Sequence, residues 1–171
     1  MLTTRVGGPS DAPVVARLWA AADAARRAAA CTEAGTGAGH HDETTAEARA
    51  LRMLAGAGSL LVVAEDEGEP AAMTVVVQAL ARDGAGDPVP GLAHVTMVAV
   101  DPSRWGLGLG AAVVTRAQAE ARGLGYTQAQ LWTQQSNARA DRLYRRLGWT
   151  LSGRTNTDEH GEPIRHYTRA L

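Results

Sequence analysis

The chain has 171 residues, and its 17 basic residues, all arginine, nearly balance 18 acidic residues for a formal net charge of -1. This balance gives no bulk attraction to nucleic acid or to an acidic membrane, and the apolar runs are too short to span a bilayer. The single cysteine, Cys31, excludes an internal disulfide. We therefore expect one cytoplasmic domain over residues 1–171 that binds neither nucleic acid nor membrane.

The hydrophobic pattern, in chain order, predicts an α/β fold with a mixed, mostly antiparallel sheet and helices on both faces. The predicted elements are a strand at 2–6, a helix from Ser10 or Asp11, a loop at 31–45, a helix at 46–54, strands at 60–65 and 71–80, a connector at 82–91, a strand at 94–100, a helix at 109–122, a strand at 127–133, a helix from 136 or 137 to 147, and strands at 149–154 and 164–171. The strand, helix and strand between 94 and 133 imply a right-handed crossover with parallel neighbours.

Three glycines at alternate positions, Gly106, Gly108 and Gly110, join an apolar strand to an Ala/Val helix. Glycine permits positive φ and close approach, and N–H groups at a helix start carry partial positive charge, so the turn suits a phosphate or diphosphate. Gly106-x-Gly108-x-x-Ala111 also fits a dinucleotide fingerprint formally. However, the acidic residue that would hold a ribose at the end of the next strand is missing, and a chain without lysine has no P-loop.

The C-terminal half resembles the GNAT superfamily of acyl-CoA-dependent N-acyltransferases. The resemblance lies in Val98–Val100, Asp101-Pro102, Trp105-x-x-Gly108-x-Gly110, Asn137 and the run from Leu143 to Trp149. It departs at Trp105, where the family most often has Arg or Gln, with Arg104 just before. It implies a single N-acetyltransferase domain that uses acetyl-CoA without a metal. It further implies direct attack by a primary amine of a small molecule or peptide in a ternary complex, and a homodimer.

The resemblance also implies site residues. Those expected to bind the cofactor are Val98, Ala99, Val100, Arg104, Trp105, Gly106, Leu107, Gly108, Leu109, Gly110, Ala111, Asn137 and Tyr144. The loop amides would hold the diphosphate, and the strand amides would pair with pantetheine. Asn137 and Tyr144 are seven residues apart, so they share a helix face. Tyr144 would be the general acid for the departing thiolate. Alternatively, Asn137 is only a helix cap and Tyr144 a packed aromatic residue.

The acceptor must lose a proton, which costs roughly 4 to 5 kcal/mol at pH 7 for an amine with a pKa of about 10.4. His94 is the candidate base, directly or through a water that it positions, and simple alternation puts it on the strand face of Thr96 and Val98. It matches the position where some relatives place a glutamate base. The alternative is a structural, hydrogen-bonded histidine.

The remaining candidates have weaker support. His40, His41, Asp42 and Glu43 are expected to be solvated rather than metal ligands. Acidic residues in two loops attract a cationic acceptor or form ordinary surface; these are Asp42, Glu43, Asp158, Glu159 and Glu162. Trp19 and Trp132 line the acceptor cleft or pack in the core. The alternative functions are a CoA-binding module without catalysis and a nicotinamide-dinucleotide-binding protein.

Overall fold

The computed structural model describes residues 1–30 and 43–171. The strands are β1 (Leu2–Gly7), β2 (Leu60–Asp66), β3 (Glu69–Leu80), β4 (Pro88–Val100), β5 (Gln128–Gln134), β6 (Thr150–Thr157) and β7 (Pro163–Ala170). The helices are α1 (Ala12–Ala30), α2 (Glu43–Leu54), α3 (Leu109–Gly123) and α4 (Ala138–Arg146), with short 3-10 turns at Pro9–Asp11 and Pro102–Arg104.

Seven strands form one sheet in the order β1-β2-β3-β4-β5-β7-β6. Every neighbouring pair is antiparallel except β4 and β5, which are parallel and joined through α3. The predicted mixed, mostly antiparallel sheet is therefore confirmed. The parallel pair lies in the middle of the sheet, where a crossover helix can cover it.

Two hydrophobic clusters lie on opposite faces of the sheet, because successive strand residues point to opposite sides. Val113 and Ala117 of α3 pack against Val62 and Val76, and Tyr144 of α4 belongs to the same cluster. On the other face the members include residues of α1, α2 and the strands, namely Val15, Leu18, Ala50, Leu61, Val63 and Val75. Thus α3 and α4 cover one face and α1 and α2 the other, which confirms the prediction of helices on both faces.

Strand β4 begins at Pro88, whereas the sequence predicts a connector to residue 91 and a strand only from His94. The prolines and Gly91 suggested a loop. However, the Asp87 carbonyl accepts from the Ala81 amide of the β3 side (3.0 Å), so the Pro88 nitrogen points away from β3. The Pro88 nitrogen faces the β5 side of β4, and β5 pairs with β4 only from Leu92 onwards. A backbone donor is therefore not needed at Pro88.

Candidate active site

The glycine loop between β4 and α3 presents open main chain. Gly106 and Gly108 have φ of +90° and +81°, and a Cβ built on either would meet no atom of the described residues within 4 Å. In the described part of the chain, the first α3 amide with a backbone acceptor is that of Ala112, which donates to the Gly108 carbonyl (3.0 Å). The preceding amides therefore lie at the positive end of the helix, beside open space. This is the arrangement that binds phosphate groups.

Neighbouring residues hold the loop firmly at both ends. The Asp101 carboxylate accepts from the Ser103 amide (3.0 Å) and hydroxyl (2.7 Å), which fixes the turn after β4. Leu109 is buried at the start of α3. A Cβ on Gly110 would lie 3.2 Å from Leu143 Cδ2, so glycine lets α3 approach α4 closely.

Strands β4 and β5 separate beside this loop. They pair only where Leu92–His94 lie opposite Gln128–Gln130, although β4 runs on to Val100 and β5 to Gln134. The β5-facing edge of residues 96–100 therefore has no strand paired to it within the described structure. An extended ligand can add to such an edge through main-chain hydrogen bonds.

A bulge in β4 lies at the same place. Met97 has a φ of +51°, and the pairing with β3 shifts between Val75, opposite Thr96, and Met73, opposite Ala99. The extra residue reverses the direction of the following side chains. Met97 packs on the α1/α2 face and Val98 on the α3/α4 face. The prediction that His94 and Val98 share a face is therefore wrong, because simple alternation stops at the bulge.

The side chains of Trp105 and Arg104 have other partners. Trp105 Nε1 donates to the Val100 carbonyl (3.1 Å), and the Arg139 guanidinium lies 3.6 Å from the centre of the Trp105 ring. Arg104 donates to the Asp66 carbonyl in the β2–β3 hairpin (3.2 Å). The Arg104 guanidinium is thus engaged with the hairpin, so what this residue offers to the loop is main chain. The contact of Arg139 with Trp105 could not be found from sequence, because nothing local pairs the two.

Asn137 caps α4, because its Oδ1 accepts from the Ala140 amide (3.1 Å). This confirms the capping role and leaves the Nδ2 group for another contact. Tyr144, seven residues on, is 5% exposed, with its ring centre 5.6 Å from that of Tyr167 and 6.1 Å from that of Trp149.

The hydroxyl of Tyr144 differs from those of the other two tyrosines. Tyr126 donates to the Gly58 carbonyl (2.9 Å) and Tyr167 to the Asp141 carboxylate, whereas Tyr144 has no hydrogen-bond partner in residues 1–30 and 43–171. Burial, and secondarily Tyr167, raise the pKa of Tyr144 above its usual value. The hydroxyl is therefore protonated at neutral pH and can donate to a ligand.

His94 lies on β4 opposite Val77, whose side chain packs on the α1/α2 face, so His94 points to that side of the sheet. Its Nδ1 is buried and has no hydrogen-bond partner within the described structure. Burial, reinforced by the charges of His166 and Arg49 and opposed by Asp83, lowers the pKa of His94 to about 4. The ring is therefore neutral at pH 7.

A polar chain that sequence reasoning missed lies beside His94. His166 Nε2 donates to Gln130 Oε1 (3.0 Å), which leaves Nδ1 to accept from the Ser152 hydroxyl (2.7 Å). The His166 ring centre is 4.8 Å from that of Trp132. Because β5, β6 and β7 bring these residues together from distant parts of the chain, no local motif marks them.

The acidic residues of the β6–β7 loop have partners. Glu162 pairs with Arg26 (2.8 Å), and Glu159 lies 3.8 Å from Arg49. The Asp158 carboxylate accepts from the amides of His160 and Glu162 (both 2.9 Å). The Glu159 and Glu162 carboxylates thus lie beside arginines, and the Asp158 carboxylate binds amides of its own loop.

Several sequence candidates fall on residues that the structure does not describe. Cys31, His40, His41 and Asp42 are outside the described residues, and the Glu43 side chain is not described. Within residues 1–30 and 43–171, no three His, Cys, Asp or Glu side chains are grouped to hold a metal ion. Of the helices described, none combines the length and apolarity that crossing a membrane requires.

Comparison with known proteins points to one family. The model described as the acetyltransferase (GNAT) family matches residues 19–149. Curated proteins include no match to the chain. Among solved structures, the chain is similar to a ribosomal-protein-alanine N-acetyltransferase from Brucella melitensis (16% identity, 99% of both chains, TM-score 0.72). It is also similar to yncA from Salmonella typhimurium, solved with its cofactor acetyl-CoA (20% identity, 99% of this chain and 94% of that chain, TM-score 0.69).

Proposed function

The chain belongs to the acetyltransferase (GNAT) family, and from that premise we propose that it transfers the acetyl group of acetyl-CoA to a primary amine by direct attack in a ternary complex. The observation that carries the proposal is the glycine loop beside the separated strands. Gly106 and Gly108 have positive φ and open space in front of them, at the positive end of α3. An anionic diphosphate with an extended arm fits this combination.

The residues of the loop and of β4 fit CoA. The amides from Gly106 to Ala111 would hold the diphosphate, and the open edge at Val98–Val100 would pair with the pantetheine arm. The Nδ2 group of Asn137 remains to donate to the same arm, because its Oδ1 is used in the cap. When bound, acetyl-CoA supplies the activated acetyl thioester. The amide of Val98, at the bulge, would polarise the thioester carbonyl.

Tyr144 is proposed as the general acid. Its ring is buried and its hydroxyl has no partner among the described residues, so the hydroxyl is available to a ligand, and the raised pKa keeps the proton on oxygen at neutral pH. It would donate to the thiolate that leaves, so that its hydrogen bond forms where negative charge develops. The Tyr167 and Trp149 rings fix its position.

His94 is proposed to position the acceptor amine, with water taking the proton. Moving a proton from an amine with a pKa of about 10.4 to a ring with a pKa of about 4 costs roughly 9 kcal/mol, against roughly 4 to 5 kcal/mol for release to water at pH 7. A neutral imidazole keeps one ring nitrogen that can accept a hydrogen bond from the amine. Water therefore carries the proton away and His94 orients the nucleophile.

Thiol release tests the proposal. Purified protein is mixed with acetyl-CoA and a panel of amines, and free thiol is followed with and without protein. We expect amine-dependent release that Tyr144→Phe slows. CoA binding without release on any amine would instead favour a binding module. Calorimetric titration with NAD tests the dinucleotide alternative, for which we expect no binding.

A further inference from the structure

A cavity of about 440 Å³ opens on the face of the sheet that α1 and α2 cover. The lining comes from Trp19 of α1, Glu159 of the β6–β7 loop and five residues of α2, namely Thr45, Ala46, Arg49, Arg52 and Met53. Its wall is thus partly apolar, from the indole and the thioether, and partly cationic, from two guanidinium groups three residues apart on one helix face.

Among the described side chains that line this cavity, the basic groups outnumber the acidic ones. Arg49 has a loose ion pair with Glu159, at 3.8 Å, and the Glu159 side chain is 60% exposed. Arg52 has no acidic group within salt-bridge distance in the described part of the chain. Among the lining side chains that the structure describes, two guanidinium groups face one carboxylate. A ligand carboxylate would therefore find two positive partners and could replace Glu159 beside Arg49.

The cavity adjoins the position proposed for the acceptor amine. His94 lies opposite Val77, and Val77 packs in the same hydrophobic cluster as Trp19 and Met53 of the cavity wall. The unpartnered His94 Nδ1 is buried there. An acceptor that reaches His94 with its amine from this side of the sheet therefore has its other groups directed towards the cavity.

We propose that the acceptor is an amine that also carries a carboxylate, such as a free amino acid, with the carboxylate held by Arg49 and Arg52. This inference rests on the proposed acetyl transfer and narrows its acceptor. Trp19 and Met53 offer apolar contact to the acceptor's side chain. The proposal differs from the cationic acceptor considered from the sequence; of the acids behind that interpretation, Glu162 pairs with Arg26 and Glu159 with Arg49.

Matched acceptors test this inference. Thiol release compares free amino acids with their carboxamides and with short peptides that have the same N-terminal residue. Each rate is divided by the concentration of unprotonated amine. We expect the free acids to have kcat/KM at least tenfold above the carboxamides and peptides. Equal rates, or faster peptides, would overturn the inference and leave acetyl transfer standing. No thiol release from any acceptor would contradict acetyl transfer itself.

Variants of the cavity give a second test. Arg49→Gln should raise KM for the acids at least tenfold, with kcat changed much less and carboxamide rates unchanged; those carboxamide rates also report folding. Glu159→Gln should lower KM for the acids, because it removes the competing carboxylate. Arg122→Gln removes an exposed charge from the last turn of α3. This control should change neither the KM for the acids nor the carboxamide rates. If Arg49→Gln slowed acids and carboxamides equally, the carboxylate would not be bound there.

Discussion

Replacing Gly108 by alanine should affect CoA affinity and protein stability for different reasons, so the two effects can be measured separately. Gly108 has a φ of +81°, and a Cβ there meets no atom within 4 Å in the part of the chain that the structure describes. Alanine therefore costs only the left-handed backbone penalty, about 1 to 2 kcal/mol. For a chain of this length that lowers Tm by roughly 2 to 8 °C. The added methyl group, however, occupies the space proposed for the diphosphate. We expect CoA to bind at least tenfold more weakly, about 1.4 kcal/mol or more.

Gly125→Ala is the matched control. Gly125 follows the other end of α3, with a φ of +92° and no atom within 4 Å of an added Cβ, so the conformational penalty is alike. Thermal scans should show similar losses of Tm for both variants, whereas calorimetric titration should show weakened CoA binding only for Gly108→Ala. Unchanged CoA affinity in Gly108→Ala, or an equal loss in Gly125→Ala, would refute the loop as the diphosphate site.

Three further predictions concern single side chains. Tyr144→Phe should lower kcat much more than CoA affinity and leave stability nearly unchanged, since no protein group loses a hydrogen bond; unaltered kcat where chemistry limits the rate would remove Tyr144 from catalysis. As pH falls from 6.5 towards 4, the unfolded chain takes up the His94 proton before the folded chain does. Wild type should therefore lose up to about 3 kcal/mol that His94→Gln does not lose; an unfolding free-energy difference between the two that stays constant from pH 7 to 4.5 would contradict this. Tyr126→Phe should cost about 1 kcal/mol in urea unfolding, because it leaves the Gly58 carbonyl without its donor; an unchanged midpoint would show that the bond contributes nothing.

Local rules explain why the loop and α4 could be predicted from sequence. The alternate glycines, the Asn137 cap and the seven-residue spacing to Tyr144 each depend on residues close together in the chain. The structure contains both the glycine loop before α3 and the Asn137 cap of α4. The order of strands and helices follows from the same local periodicity.

The features that sequence reasoning missed are non-local or irregular. The bulge at Met97 uses a non-glycine residue with positive φ, so no residue type marks it. The pairing of Arg26 with Glu162 joins residues 136 positions apart. In the sequence, Arg49 and Arg52 look like an ordinary polar helix face. Only the tertiary structure places Trp19 of α1 and Glu159 of the β6–β7 loop beside them. Tertiary contacts, rather than composition, determine the charge of the cavity.

A crystal structure of the protein with CoA tests the central claim most directly. We expect the diphosphate within hydrogen-bond distance of the main-chain amides between Gly106 and Ala111, and the pantetheine arm along the β4 edge towards Tyr144. A diphosphate bound elsewhere on the protein, with those amides facing solvent, would contradict the account.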